Sequence, residues 1–340
     1  MRSYIEVNLK DLKENYLQIS RYLKKEIIAV VKSNAYGHGI IEVSNTLYKS
    51  GVHSFLVATK EEALLLRKHF PNVTIILLEP SLEFKSLYEN KISIVISSKE
   101  YLNQIIISSY PFHLHLKIDT GLNRLGIKSR EIKDVLSLIK SSHLILKGLF
   151  THLSSVNTYK NQYLTFKDCL KYFNEYKNLI IHINSSSYLF KDDISTHYRV
   201  GLALYGLISL SYLKLKPILS LKSPIIRCVE IKENECVGYH NLGNIKENGY
   251  LYTIPLGYAD GWIQSRTTLG YVNGIYFKQV GETCMDHIML FSNKKIDCKN
   301  QIEILSENVD ILHYSSFVKE SIYQIVSLLS PRLKRIYIFH

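Results

Sequence analysis

Eight short apolar runs, spread over the first two thirds of the chain, restrict its fold more than any other feature. They are 27–31 (IIAVV), 54–58 (SFLVA), 73–78 (VTIILL), 92–97 (ISIVIS), 112–119 (FHLHLKID), 144–151 (LILKGLFT), 179–184 (LIIHIN) and 198–204 (YRVGLAL). Each is too short for a typical helix and nearly continuous, which is how a strand covered on both faces reads. Most are separated by stretches long enough for a crossover helix, such as 60–69 and 130–141, and Leu9, Leu12, Tyr16, Ile19 and Leu23 give helical spacing ahead of the first. Eight such units predict a (β/α)8, TIM-like barrel with its chemistry at the C-terminal ends of the strands. An open doubly wound sheet is the alternative for the same pattern.

After Pro217 the texture changes to short alternating runs broken by Gly, Asn and Pro, among them IIRCVEI, GYLYTIPLGY, YVNGIYFKQVG and QIEIL. That pattern predicts a C-terminal all-β domain. The expected division is a barrel over 8–215 and a β domain over 216–340, joined by residues 1–7. The segment SPRLKRIYIFH reads as a helix end or loop running into a strand.

Composition narrows the function classes. Apolar residues are 46% and charged residues 21% of the 340, so disorder is not the main state. The net charge of +12 comes from 42 Lys and Arg scattered over the sequence rather than gathered in one stripe, and no nucleic-acid partner is expected. Five cysteines with no CxxC and no ligand spacing suggest neither a disulfide framework nor a metal site. The opening MRSYIEVNLK lacks the apolar core of a signal peptide, and no apolar run approaches a membrane span. A cytoplasmic protein with no membrane association is expected.

Polar residues cluster where a barrel would keep its site. Lys32, Asp119 to Arg124, His152, Asn184 with Ser185, and Arg199 with Gly201 each stand at or just past a strand end. In Ala29 to Gly39 (AVVKSNAYGHG) the lysine is followed by a small, polar turn, an arrangement suited to an anionic carbonyl cofactor.

That string, together with LKIDTGLNRLGI (116–127), GLFTHLSS (148–155), YRVGLALYG (198–206), PLGYADGW (255–262), GETCMDHIML (281–290) and, more loosely, PRLKRIY (331–337), resembles the alanine racemases, the fold-type III pyridoxal 5′-phosphate enzymes. The resemblance spans nearly the whole chain and implies a homodimer whose active site is shared between subunits, acting on a small amino acid. It makes Lys32 and Tyr258 the two catalytic bases, with Lys32 also the covalent anchor of the cofactor and Tyr258 entering from the other subunit, linked to His152 and Arg199. Arg199 would face the pyridine nitrogen. The phosphate would meet Tyr36, Ser185, the amides of Gly201 and Leu202, and Tyr337, with Asn184 supporting that wall. Arg124 and the backbone of Met285 would hold the substrate, supported by Lys117, at the position that many members carbamylate, and by Asp286.

The sequence departs from the family pattern in HINSSS (182–187), one residue short of the usual His-x-x-Asn-Ser, so no role passes to His182. PRLKRIY lacks the usual proline between its arginines. His113 and His115 share one strand face and are expected to be satisfied barrel histidines, and His38 a helix-start hydrogen-bonder. Two other readings remain: a serine or broad-specificity racemase of the same fold, and a non-catalytic pyridoxal-phosphate carrier, which resembles the barrel alone.

Overall fold

The computed structural model describes residues 2–339 apart from 155–156, 187–188, 190–191, 242 and 265–266. Ser155 and Ser187, which end two of the strings quoted above, therefore lie outside the described residues.

Strand β1 (Tyr4–Asn8) leads directly into helix α1 (Leu9–Leu23), whose first turn is capped by the Asn8 side chain accepting from the amides of Lys10 and Asp11. The five apolar residues at helical spacing are all buried, and Lys24 in the left-handed region ends the helix. Then follow β2 (Glu26–Val30), β3 (Ser54–Val57), β4 (Thr74–Leu77), β5 (Ser93–Ile96), β6 (His113–Lys117), β7 (Ile145–Phe150), β8 (Ile180–His182) and β9 (His197–Val200). All eight barrel strands pair in parallel, in the order β8-β7-β6-β5-β4-β3-β2-β9. Between the ends of that order, Thr196 closes the ring: its amide donates to the Ile181 carbonyl at 2.9 Å and its hydroxyl accepts from the Ile181 amide at 2.8 Å. Helices between the strands bury their apolar stripes against the barrel, as Ile132–Lys140 does with Ile132, Val135, Leu136 and Ile139. The continuous apolar runs are thus strands buried on both faces.

The second sheet has nine strands and is mixed. β1 lies between β10 (Leu219–Pro224), with which it is antiparallel, and Lys334–Ile338, with which it is parallel. The Asn273–Gly274 pair, both at positive φ, makes the two-residue turn of the hairpin Leu269–Val272 with Ile275–Gln279. This half of the chain is mostly β rather than all β, because Ile311–Val318 and Ile322–Ser327 are helices. Ile322–Ser327 packs on the turn that follows β2: a Cβ on Gly37 would overlap the Val326 carbonyl, and Arg335 donates through Nε to the Gly37 carbonyl at 3.1 Å. Barrel and β half therefore meet beside Lys32.

Candidate active site

Lys32 stands one residue beyond Val31, whose amide is held by the Leu56 carbonyl at 3.0 Å. The next four residues, Ser33, Asn34, Ala35 and Tyr36, have φ of 54°, 53°, 53° and 54°. A left-handed run of non-glycine residues costs roughly 1–2 kcal/mol per residue, so it persists only where its surroundings fix it. Here Asn34 donates its amide to Glu62 and accepts from the Ile40 amide at 2.9 Å, Gly39 donates to the Asn34 carbonyl at 2.9 Å, and Nδ1 of buried His38 donates to the carbonyls of Ala35 and Tyr36, each at 2.9 Å. His38 is thus a hydrogen-bonder of this turn. The turn aims Lys32 and Tyr36 into one cavity.

That cavity has a volume of about 550 Å³, within the range of small-molecule sites. Lys32, Lys117, Arg124 and Arg199 line it, and among the described residues no carboxylate does. Burial, reinforced by the Arg124 charge, pulls the Lys32 amine below the ordinary lysine range, against the opposing pull of Glu62 and Glu79. Lys117, buried and facing Arg124 and Arg199, is lowered to about 8, with Asp119 opposing. The loop bearing Arg124 is fixed at its base by Asp119, which accepts from the amides of Gly121 and Asn123 at 3.0 Å and from Lys128 Nζ at 2.6 Å.

Arg199 is 5% exposed and held by a ring of acceptors. Its Nη2 donates to the carbonyls of Thr151 (2.8 Å) and Ile183 (3.2 Å), and its Nη1 to the His182 carbonyl and, at 2.8 Å, to His182 Nδ1. Because Arg has no acceptor, His182 Nδ1 must be bare and Nε2 protonated, and that Nε2–H donates to His115 Nδ1 at 3.1 Å. Burial drives His182 well below the ordinary histidine range and His115 down to about 3, so both rings are neutral. Room for His115 comes from Gly148 on the neighbouring strand, where a Cβ would fall less than 3.0 Å from three atoms of the ring. His152 lines the cavity, lowered to about 3 by burial and by the nearby Arg199 and Arg124 charges. Among the described residues no hydrogen bond joins the His152 ring to Arg199, so of the expected Tyr258–His152–Arg199 chain only the proximity of the last two is seen.

Another part of the lining is a cradle of hydroxyls and amides. Ser186 Oγ accepts from the amides of Gly201 (3.0 Å) and Ala203 (3.1 Å). With both acceptor sites taken, what it presents is its own O–H. A Cβ on Gly201 would lie 2.7 Å from the Tyr36 hydroxyl, so glycine makes the close approach possible. Tyr36 is packed between Tyr205 (ring centroids 5.1 Å) and Tyr323 (5.9 Å), and Tyr323 lines the cavity. Ser185 and Leu202 also line it, whereas Asn184 lies behind, donating to Asp192 at 2.6 Å.

Three placements differ from the sequence expectation. Tyr337 does not line the cavity: its hydroxyl sits against Gly39 and Glu42, and Tyr323 occupies the wall instead. The hydroxyl on the Gly201 amide belongs to Ser186, one residue beyond Ser185. His182, left without a role because its string is one residue short, is the partner of Arg199. Counting from that histidine rather than from Asn184 points to Ser186, whereas no local pattern marks Tyr323.

Tyr258, Met285 and Asp286 are brought together, but elsewhere. The amides of Tyr258 and Ala259 donate to the carbonyls of Cys284 (3.1 Å) and Met285 (3.0 Å), and Tyr258 and Met285 are 41% and 55% exposed. None of the three lines the Lys32 cavity. Among the described residues no group of His, Cys, Asp and Glu could hold a metal ion, and no helix is long and apolar enough to cross a membrane.

Comparison with known proteins agrees with this arrangement over the whole chain. Residues 7–209 match the family model "Alanine racemase, N-terminal domain" and residues 218–337 match "Alanine racemase, C-terminal domain". An alanine racemase of Borreliella burgdorferi is 30% identical over 98% of this chain and 96% of its own. Among solved structures, an alanine racemase of Clostridium difficile 630 superposes with a TM-score of 0.92 at 26% identity, covering 100% of this chain and 96% of that one. The Bartonella henselae alanine racemase with covalently bound pyridoxal phosphate gives 0.89 at 25% identity, over 99% of this chain and 100% of that one. With both halves matched in order and a relative aligned almost end to end, the chain belongs to the alanine racemase family.

Proposed function

We propose that this chain interconverts L- and D-alanine with pyridoxal 5′-phosphate held at Lys32, supplying D-alanine for peptidoglycan. Alanine racemases depend on this cofactor as a family. The residues present fit it: an amine for the aldehyde, four basic side chains and, among the described residues, no carboxylate around an anion, and a glycine-backed cradle of Tyr36, Ser186 and Tyr323 for the phosphate. When bound, the cofactor supplies an electron sink that acidifies the substrate α-proton.

The chain's own residues do the rest. Arg199, permanently protonated, would donate to the pyridine nitrogen rather than protonate it, while the neutral His182 and His115 hold the guanidinium in place. Arg124 would clamp the substrate carboxylate. Lys117, with part of its amine uncharged at neutral pH, can add carbon dioxide with loss of a proton, giving an anion beside Arg124. Lys32, its amine depressed by burial, would move the proton on the D face.

One observation carries the reading. Inverting a stereocentre needs proton carriers on both faces, and one chain's cavity holds the amine of Lys32, whereas Tyr258 and Met285 are exposed outside it. A second copy of the chain would bring them in, making a homodimer with shared sites. The same reading divides the chain into a barrel (8–215) and a second domain (216–340 with 1–7), supported by family matches that end at 209 and resume at 218. Five unpaired cysteines suit the reducing cytoplasm.

The test is α-proton exchange of L- and D-alanine, serine and other amino acids in deuterated buffer, with and without pyridoxal phosphate. Exchange of alanine that requires the cofactor is expected, and its absence refutes the reading. Lys32→Ala and Tyr258→Phe chains, each inactive in racemisation, should regain about one quarter of wild-type activity when unfolded together and refolded, because half the dimers are mixed and each has one intact site. No regain would refute the shared site.

A further inference from the structure

The exposed Tyr258 and Met285 stand on backbone that is unusually well fixed. Residues Tyr258–Asp260 form a single short turn, and Asp260 at its end is 0% exposed. Its carboxylate accepts from the Gly257 amide at 3.0 Å and, through both oxygens, from Arg2 Nη2 at 2.9 Å. Arg332 approaches the same carboxylate, its Nε 3.5 Å from Oδ1, and donates through Nη2 to Asp286 Oδ1 at 2.6 Å. Arg2 lies 3.9 Å from Asp286 as well. Two guanidinium groups thus span two carboxylates, one on the Tyr258 turn and one on the Met285 loop, Arg332 through Nε and Nη2 and Arg2 through Nη2 alone. The segments joined are distant in sequence: the start of the chain, the two loops, and the PRLKR string near its end.

A fully buried carboxylate is tolerated only when its oxygens are matched by donors. Here the donors are the Gly257 amide and Arg2, with the Arg332 charge beside them, and both guanidinium groups also face Asp286 on the second loop. The backbone bonds from Tyr258 and Ala259 to Cys284 and Met285 set the two loops side by side, and the two arginines brace each against the other. A hydroxyl that must reach across an interface gains most from such bracing, because a misplacement near 1 Å costs about 100-fold in rate.

We propose that Arg2 and Arg332 are positioning residues that lock the Tyr258 turn to the Met285 loop, so that the phenol and the Met285 backbone are delivered to the other subunit's cavity as one rigid unit. The inference rests on Tyr258 being the proton carrier on the L face. Arg2→Leu and Arg332→Leu each remove a guanidinium, and Arg332→Lys keeps the charge without the two-nitrogen fork and guards against a leucine variant that fails to fold.

The experiment compares holoenzymes of the wild type, these variants and Tyr258→Phe. It reads α-proton exchange of each alanine enantiomer separately, backbone hydrogen–deuterium exchange at residues 257–261, and melting temperature. Loss of a guanidinium should lower exchange from L-alanine about 10- to 100-fold while exchange from D-alanine changes less than about 3-fold, with faster deuteration of the Tyr258 and Ala259 amides. A merely structural role would depress both enantiomers in proportion to the folded fraction. Proportional loss, or unchanged amide protection at 258–259, overturns the inference. If Tyr258→Phe itself spares L-alanine exchange, the Tyr258 reading fails; if it abolishes that exchange while the arginine variants keep the L to D balance, the positioning role alone fails.

Discussion

Gly148→Ala tests the packing that holds Arg199. The residue is paired with His115 across β6 and β7, and its absent Cβ would come within 3.0 Å of three atoms of a ring that is 0% exposed. The ring is bonded to His182 at 3.1 Å and cannot retreat to solvent. Forcing a methyl into such a contact costs about 1–3 kcal/mol. Losing the His182 bond and leaving its Nε2–H buried and unpaired adds roughly 1–3 kcal/mol. For a 340-residue chain the entropy of unfolding is on the order of 0.7 kcal/mol/K, so the sum corresponds to a fall in Tm of about 3–9 °C. Calorimetry at neutral pH measures it. His115→Ala vacates the ring's space, so in that background Gly148→Ala should cost close to nothing. Equal cost in both backgrounds, or an unchanged Tm in the single variant, would refute the account of how this glycine and histidine fit.

Two further outcomes follow from the same site. His38, His115 and His182 are neutral in the fold, with His38 lowered to about 4, His115 to about 3 and His182 in the same direction, all first by burial. The unfolded chain takes up their protons first, near pH ~6.5, so their contribution is whole above that pH and is lost as pH falls, at about 1.4 kcal/mol per unit for each; a Tm that stays flat from pH 7 to 5 would contradict this. Gly201→Ala would press a methyl within 2.7 Å of the Tyr36 hydroxyl, which is boxed in by Tyr205 and Tyr323, so affinity for pyridoxal phosphate should fall roughly 10- to 100-fold, as expected for a lost bond to a charged group. Fluorescence titration checks it, and an equal loss for unphosphorylated pyridoxal would show that the cradle does not hold the phosphate.

The strands were legible because a strand covered on both faces has no polar side, so its run of Ile, Val and Leu is visible in one dimension. Lys32, Arg124 and Arg199 were legible because their flanking strings are long. Tyr323 was not, since nothing about one tyrosine in a six-residue helix tells which way it faces; the structure places it through packing of Ile322–Ser327 on the turn after β2. His182 was obscured by a one-residue deletion, which shifts the count after the strand but leaves the strand and its Arg199 partner in place. The Gly148–His115 fit depends on register between strands, and no local pattern encodes register. Likewise the Arg2–Asp260 pair joins residues 258 positions apart, a contact that only the finished fold specifies.

β1 also sets a schedule for synthesis. Tyr4 pairs with Lys222 on one side and Lys334 on the other, so this strand leaves the ribosome some two to three hundred residues ahead of the neighbours it must find. At about 5–20 residues per second that interval runs from roughly ten seconds to about a minute. During it the barrel can assemble while its own leading segment waits with unpaired amides and carbonyls, open to whatever strand comes near. An element translated late thus seals one translated early, and a change in β1 would act on a sheet made some three hundred residues downstream in order of manufacture.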